Sequence, residues 1–210
     1  MTRQERLRTT TIVLVLLAWL LAATVLGATG VLRGLKPPAP QLVLLTLTAL
    51  VILLPLTRPG LRSWLMTIDE RLLVTVHLTR FVGIYFLVLY RRGELPFDFA
   101  VPGGWGDIAV ATLALALMVG WRATNAAGWW AYSIWNLVGL IDILFVVATA
   151  ARLAWSQPES MATLLRLPLN LLLTWLVPLI IASHIFLGIR LARRRPSGDH
   201  HGIVARGPGP

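Results

Sequence analysis

The sequence predicts an all-α integral membrane bundle of about six transmembrane helices with both termini cytoplasmic. Three observations carry that expectation. Hydrophobic residues make up 57% of the 210, and mean hydropathy is +0.75, against about 45–50% apolar residues in soluble domains. Charged residues are only 13%, roughly half the soluble norm of about 25%. Such a chain cannot cover itself with polar surface in water. The apolar residues also fall into six runs, each near the ~20 residues that cross about 30 Å of hydrocarbon.

The first run covers about 10–33. It is too long for the apolar core of a signal peptide, about 7–15 residues, so the basic start (Arg3, Arg6, Arg8) is read as the flank of a retained span. Lys36-Pro37-Pro38 closes it, because proline cannot continue a helix. The second run covers about 40–57 and is interrupted only at Pro55. The third, about 70–90, begins after Asp69-Glu70-Arg71. The fourth, about 106–121, ends at Trp121-Arg122. The fifth covers about 128–151. The sixth, about 165–192, is closed by Arg193-Arg194-Arg195-Pro196. Residues 1–195 therefore form one helical domain, and the Gly/Pro-rich tail 196–210 is expected to be disordered. His200-His201 in that tail is weak ground for a metal site. Unpaired backbone groups are not tolerated in lipid, so the spans are helices or barrel strands. Leu-Val-Leu-Leu in the second run and Leu-Ala-Leu-Ala-Leu in the fourth lack the alternation of barrel strands.

Orientation follows the basic residues. With the N-terminus inside, Arg3, Arg6, Arg8, Arg58, Arg62, Arg71, Arg122 and the Arg190–Arg195 cluster face the cytoplasm. Arg33, Lys36, Arg91, Arg92, Arg152 and Arg166 face out. The inner side wins, as the positive-inside rule requires, and the expected location is a bacterial inner membrane. The net charge of +10 invites a nucleic-acid reading. That reading is rejected because the arginines sit at span ends. The partners expected are the lipid bilayer and a second copy or a membrane complex. Trp64, Trp105, Trp121, Trp129, Trp130 and Trp155 lie near span ends, as an interfacial belt does. Trp19, Trp135 and Trp175 lie deeper, as packing residues.

The chain has no cysteine, which removes disulfides, thiolate metal sites, covalent haem attachment and cysteine nucleophiles. Serine-hydrolase, zinc-protease and phosphate-loop motifs are absent, so an enzyme finds no support.

Ionisable groups inside a span cost about 2.5–3.5 kcal/mol each on insertion scales, so the few present are the candidate site. Arg80 lies in the third span; Asn136 and Asp142 lie in the fifth. At 1.5 Å per residue they stand about 14, 12 and 21 Å from the inner boundary, so a long arginine can reach either partner. They form either a ligand site or an ion pair bracing two helices. His77 and His184, on the third and sixth spans, sit at matching depth and are candidate axial ligands of a b-type haem. A metal or a quinone is a further candidate ligand, and the reading ranked first is two separate structural histidines bonded to the backbone or to hydroxyls such as Thr79 and Ser183. The segment from Leu95 to Asp107 is rich in proline and glycine and is expected to break regular helix. Asp107 is then a helix cap. Alternatively, the segment is an outer lid with Asp98 and Asp107 as ligands, near Arg91, Arg92 and Glu94.

The run Phe99-Ala100-x-Pro102-x-Gly104-x-Gly106-Asp107, followed by Trp135-Asn136-x-x-Gly139-x-x-Asp142, resembles a loose pattern in uncharacterised bacterial multi-pass membrane proteins. The resemblance covers about the central third of the chain and implies no activity. It directs attention to Asp107, Asn136 and Asp142. Three functions remain open, in this order: an accessory or scaffold membrane protein, a binding or transport protein with a mid-membrane site at Arg80, Asn136 and Asp142, and a small b-type cytochrome.

Overall fold

Six helices in the structure, a computed structural model describing residues 3–120 and 125–194, are long and apolar enough to cross a membrane. No strand occurs among the described residues. The protein is a multi-pass helical membrane protein. Trp121, Arg122, Arg195 and the tail with His200 and His201 lie outside the described residues.

Helix α1 (Arg3–Ala28) and α2 (Ala39–Thr57) are joined by a short 3₁₀ turn, Val31–Gly34. Gly30 sits in the left-handed region at φ 74°, where a side chain would be strained. A short helix expected as loop, α3 (Pro59–Thr67), follows, started by proline at its first position. The third span is α4 (Glu70–Thr75), a 3₁₀ stretch (Val76–Phe81) and α5 (Val82–Arg91). Asp69 caps α4 by accepting from the Arg71 N–H at 2.9 Å. The fourth span is α6 (Phe97–Gly120), and the fifth is α7 (Ala126–Ser156), capped by Asn125. A 3₁₀ segment (Pro158–Leu165) and a π-helical turn (Leu172–Leu176) lead into α8 (Val177–Arg193).

Two expectations about segments are corrected here. The stretch from Leu95 to Asp107 is not an irregular loop: α6 begins at Phe97 and runs through Pro102. Pro102 removes only the ladder bond to the carbonyl of Asp98, which sits at an exposed helix end where it can be solvated. The glycines serve close packing. A Cβ on Gly83 of α5 would collide with the Gly104 carbonyl, and one on Gly104 would stand 2.9 Å from the Gly83 carbonyl. Gly103 faces Val146 of α7. Small residues let membrane helices approach backbone to backbone, and that contact offsets the ~1 kcal/mol helix cost of each glycine. The sixth span starts later than expected, because a bend and turn containing Pro168 occupy 166–169 before the helix begins.

The connections at 29–38, 92–96 and 157–171 share one end of the bundle. The N-terminus, α3 and the end of α8 share the other. Trp64 of α3 donates to Thr9 at 3.0 Å, Arg190 of α8 reaches Glu70 at 3.2 Å, and Arg152 pairs with Asp98 at 3.7 Å. Trp130 and Trp155 are exposed, as belt residues are, but Trp129 turns inward and donates to the Leu191 carbonyl. Of the deeper tryptophans, Trp135 is buried and donates to the Val110 carbonyl, and Trp175 donates to that of Leu16.

The Gly83–Gly104 contact predicts an asymmetry. Gly83→Ala should lower unfolding stability in detergent by about 1–3 kcal/mol, the usual cost of overpacking. Gly120→Ala, which meets nothing within 4 Å among the described residues, should be neutral or mildly stabilising. Equal effects at the two positions would contradict the packing described.

Candidate functional site

The 3₁₀ stretch at Val76–Phe81 sets the geometry of the centre. With three residues per turn, positions i and i+3 eclipse. His77 and Arg80 therefore project along one stripe rather than onto neighbouring faces, and both are fully buried.

Arg80 is the hub. Its Nε donates to Asp107 Oδ1 of α6 at 2.6 Å, its Nη1 donates to the Gly139 carbonyl of α7 at 3.0 Å, and its Nη2 donates to Asp142 Oδ2 of α7. Of the two partners a long arginine could reach, Asp142 is paired with Arg80 and Asn136 is not. Asp107 is not a helix cap: it is the eleventh residue of α6, and its partner is Arg80 rather than Arg91 or Arg92. Nor do Asp98 and Asp107 act together, since Asp98 is exposed and pairs with Arg152. Gly106 belongs to the same construction, because a Cβ there would strike the Asp142 carboxylate.

Asn136 stands with His184, not Arg80. Its Nδ2 donates to the His184 carbonyl at 3.1 Å, and its Oδ1 lies 2.9 Å from His184 Nδ1. A carbonyl only accepts, so the amide orientation is set and His184 Nδ1 must carry the proton. Across from it, Ser183 gives its single hydroxyl proton to the Ile180 carbonyl at 2.8 Å and so accepts from His77 Nε2 at 2.9 Å. His77 is therefore the Nε2–H tautomer, and its Nδ1 is buried without a partner among the described residues. A proton there would be an orphan donor in the core. His184 Nε2 lies beside Gly139 without a bond of normal geometry.

The two imidazoles do come together, with ring centroids 4.1 Å apart and an interplanar angle of 51°, and Trp135 stands edge-on to His77 at 4.8 Å. This does not fit a b-type haem. Two metal–imidazole bonds of about 2 Å on opposite faces of one porphyrin hold the rings well apart with the macrocycle between them. Here the rings touch, which leaves no room for a macrocycle between them.

On the opposite side of the hub lies a cavity of ≈ 330 Å³. It runs between α2, α7, the 158–165 segment and α8, and its walls are almost wholly apolar. Arg80 and Asp107 stand on its wall, and Gln41 of α2 adds an amide whose Oε1 is buried without a partner. Two of its lining residues, Leu45 and Leu144, are also exposed on the outer surface. Small-molecule sites have this character, concave and apolar with a few polar groups, at about 300–1,000 Å³.

Sequence reading missed Asp107 as a partner of Arg80, the Asn136–His184 bond, Gln41 and the Glu70–Arg190 pair. The spacing of Gly103, Gly104 and Gly106 just before Asp107 was the available signal for the first of these.

A family model described as Domain of unknown function (DUF8737) matches residues 37–192. That stretch begins after the first span and contains the whole cluster and cavity. No curated protein and no solved structure matches the chain.

The hub predicts unequal costs. Arg80→Ala leaves the buried Asp107 and the partly buried Asp142 without their cation and should cost about 3–5 kcal/mol of stability. Asp142→Asn keeps an oxygen for Arg80 Nη2 and should cost well under half of that. Unfolding titrations in detergent check the order, and an Arg80→Ala protein as stable as the parent would contradict it.

Proposed function

The chain belongs to the family described as Domain of unknown function (DUF8737), and we propose that it binds a small lipophilic molecule at mid-membrane and carries it between the bilayer and the water at one bundle end. One observation carries this reading: the arginine clamped by two carboxylates stands on the wall of an apolar cavity whose lining includes the outward-exposed Leu45 and Leu144. A pair that only braced helices would be best enclosed, because water or a void beside it weakens the bracing. The cavity instead leaves Asp107 and Arg80 facing free volume. This supports binding and transport over a scaffold role, with Arg80, Asp107 and Asp142 as the proposed working site.

Asn136 is assigned a supporting part, holding His184 against Gly139, whose carbonyl accepts from Arg80. Asp98 is assigned to the surface. The arginine asymmetry between the two ends supports a bacterial inner membrane with cytoplasmic termini. The long apolar faces of α1 (Leu14, Leu17, Leu21) and α2 (Leu42, Leu45, Leu53) are exposed. They suit lipid or a second copy of the chain, which a pathway through so small a bundle would use.

The test is the molecule that travels with the protein. Purified in nanodiscs and extracted for mass spectrometry, the parent should carry a lipophilic compound enriched over the surrounding lipid. Ala150→Trp, which fills the cavity from α7, should lose it while melting at a similar temperature. Identical extracts from both proteins would count against the reading and return the scaffold role to first place.

A further inference from the structure

The charge on the occupant can be argued further, on the premise of the binding site above. Arg80 brings one positive charge to the middle of the bundle. Asp107 and Asp142 bring two negative ones when both are ionised, and among the described residues only Arg80 forms an ion pair with either. The elements packed around the cluster add nothing to balance it. His77, on the stripe of Arg80, bonds to Ser183 and finds no acceptor for a second proton at Nδ1 among the described residues, and His184 of α8 is engaged by Asn136. Arg190 of α8 is turned to Glu70 at the bundle end, and α2 contributes the uncharged Gln41. The cluster is one positive charge short. An uncompensated carboxylate in a low-dielectric interior is costly, so the cluster rests only with a proton on one carboxyl or with a cation beside it.

Asp107 is where that charge is exchanged. It is 3% exposed, its Oδ1 accepts from Arg80, and its other oxygen accepts no hydrogen bond from the described residues. It lies on the cavity wall, whereas Asp142 does not. The walls then select the kind of cation. The approach passes Leu45 and Leu144 and runs along Phe86 and Phe99, whose rings stand 5.1 Å apart. A hydrated metal ion has no polar route there. A cation with an apolar body of its own does, and aromatic faces favour such cations. Anionic head groups are disfavoured, since Arg80 is already engaged by two carboxylates.

We propose that the site takes a monovalent lipophilic organic cation, an ammonium head on an apolar chain, in exchange for a proton on Asp107. The step balances. The Asp107 carboxylic acid releases its proton to water at the bundle end, the carboxylate pairs with the incoming ammonium, and the cluster has the same net charge before and after. Driven in reverse by protonation, the exchange releases the cation.

Three probes with one chain and different heads test this: dodecyltrimethylammonium, dodecanol and laurate. Binding to the full chain in nanodiscs is measured by calorimetry across a pH series in buffers of different ionisation enthalpy. The ammonium should bind saturably and tighten by up to about tenfold per pH unit as pH rises, releasing about one proton per cation. Asp107→Asn keeps an oxygen for Arg80, so it should melt like the parent yet lose both the binding and the proton release. Ammonium binding that is pH-independent, or unchanged in Asp107→Asn, would overturn the proposal, as would tighter binding of laurate. If dodecanol alone saturates the parent and not Ala150→Trp, the cavity reading stands and the cation exchange fails. If no probe saturates the parent, both fail.

Discussion

Arg80 is a fully buried guanidinium at the centre of an apolar bundle, and the surrounding helices are arranged around its need for partners. A single charge at this depth is tolerated only when it is paired and hydrogen-bonded. The 3₁₀ stretch aims the side chain, α6 supplies Asp107, and α7 supplies Asp142 and the Gly139 carbonyl. Reaching all three requires α5, α6 and α7 to approach more closely than ordinary side chains allow. The glycines at 83, 103, 104 and 106 remove the atoms that would prevent it. The tight packing and the charge cluster are therefore one device.

That device divides the interior. Toward one end lies a closed polar core of His77, Ser183, His184, Asn136 and Trp135, rings in contact and hydrogen bonds mostly made. Beyond it, Glu70 holds Arg190 and Arg194. Toward the other end the packing opens into the apolar cavity. A site with one sealed side and one open side can hold an occupant against the cluster. The π-helical turn before α8 and the 3₁₀ segment at 158–165 border the open side, where irregular backbone is tolerated because it lines a cavity.

Hydropathy made the six spans legible, because a 20-residue apolar run has few other uses. The reach of a long arginine made Asp142 legible as one of two candidate partners of Arg80, and helix rotation decided against Asn136. Asp107 was not, because proline and glycine were weighed by their helix propensity, and propensity yields to packing where backbones touch. The start of α6 moved from 106 to 97 for that reason, and Asp107 moved from helix cap to helix middle. The shared depth of His77 and His184 was also visible. Their partners were not, since a rotation of one residue, about 100°, decides whether a side chain meets a serine or a cofactor. The cavity has no one-dimensional signature: its lining comes from residues spread from 35 to 180.

The central claim is that the charge cluster is kept for an occupant and not for holding the helices together. Replacing all three members at once tests it most directly, with Arg80→Met, Asp107→Leu and Asp142→Leu in one protein. Buried ion clusters exchanged whole for apolar side chains are often neutral or stabilising. The account predicts that this variant folds with stability close to or above that of the parent and no longer retains the lipophilic compound extracted from it. A variant that unfolds, or one that keeps the same compound, would contradict the account.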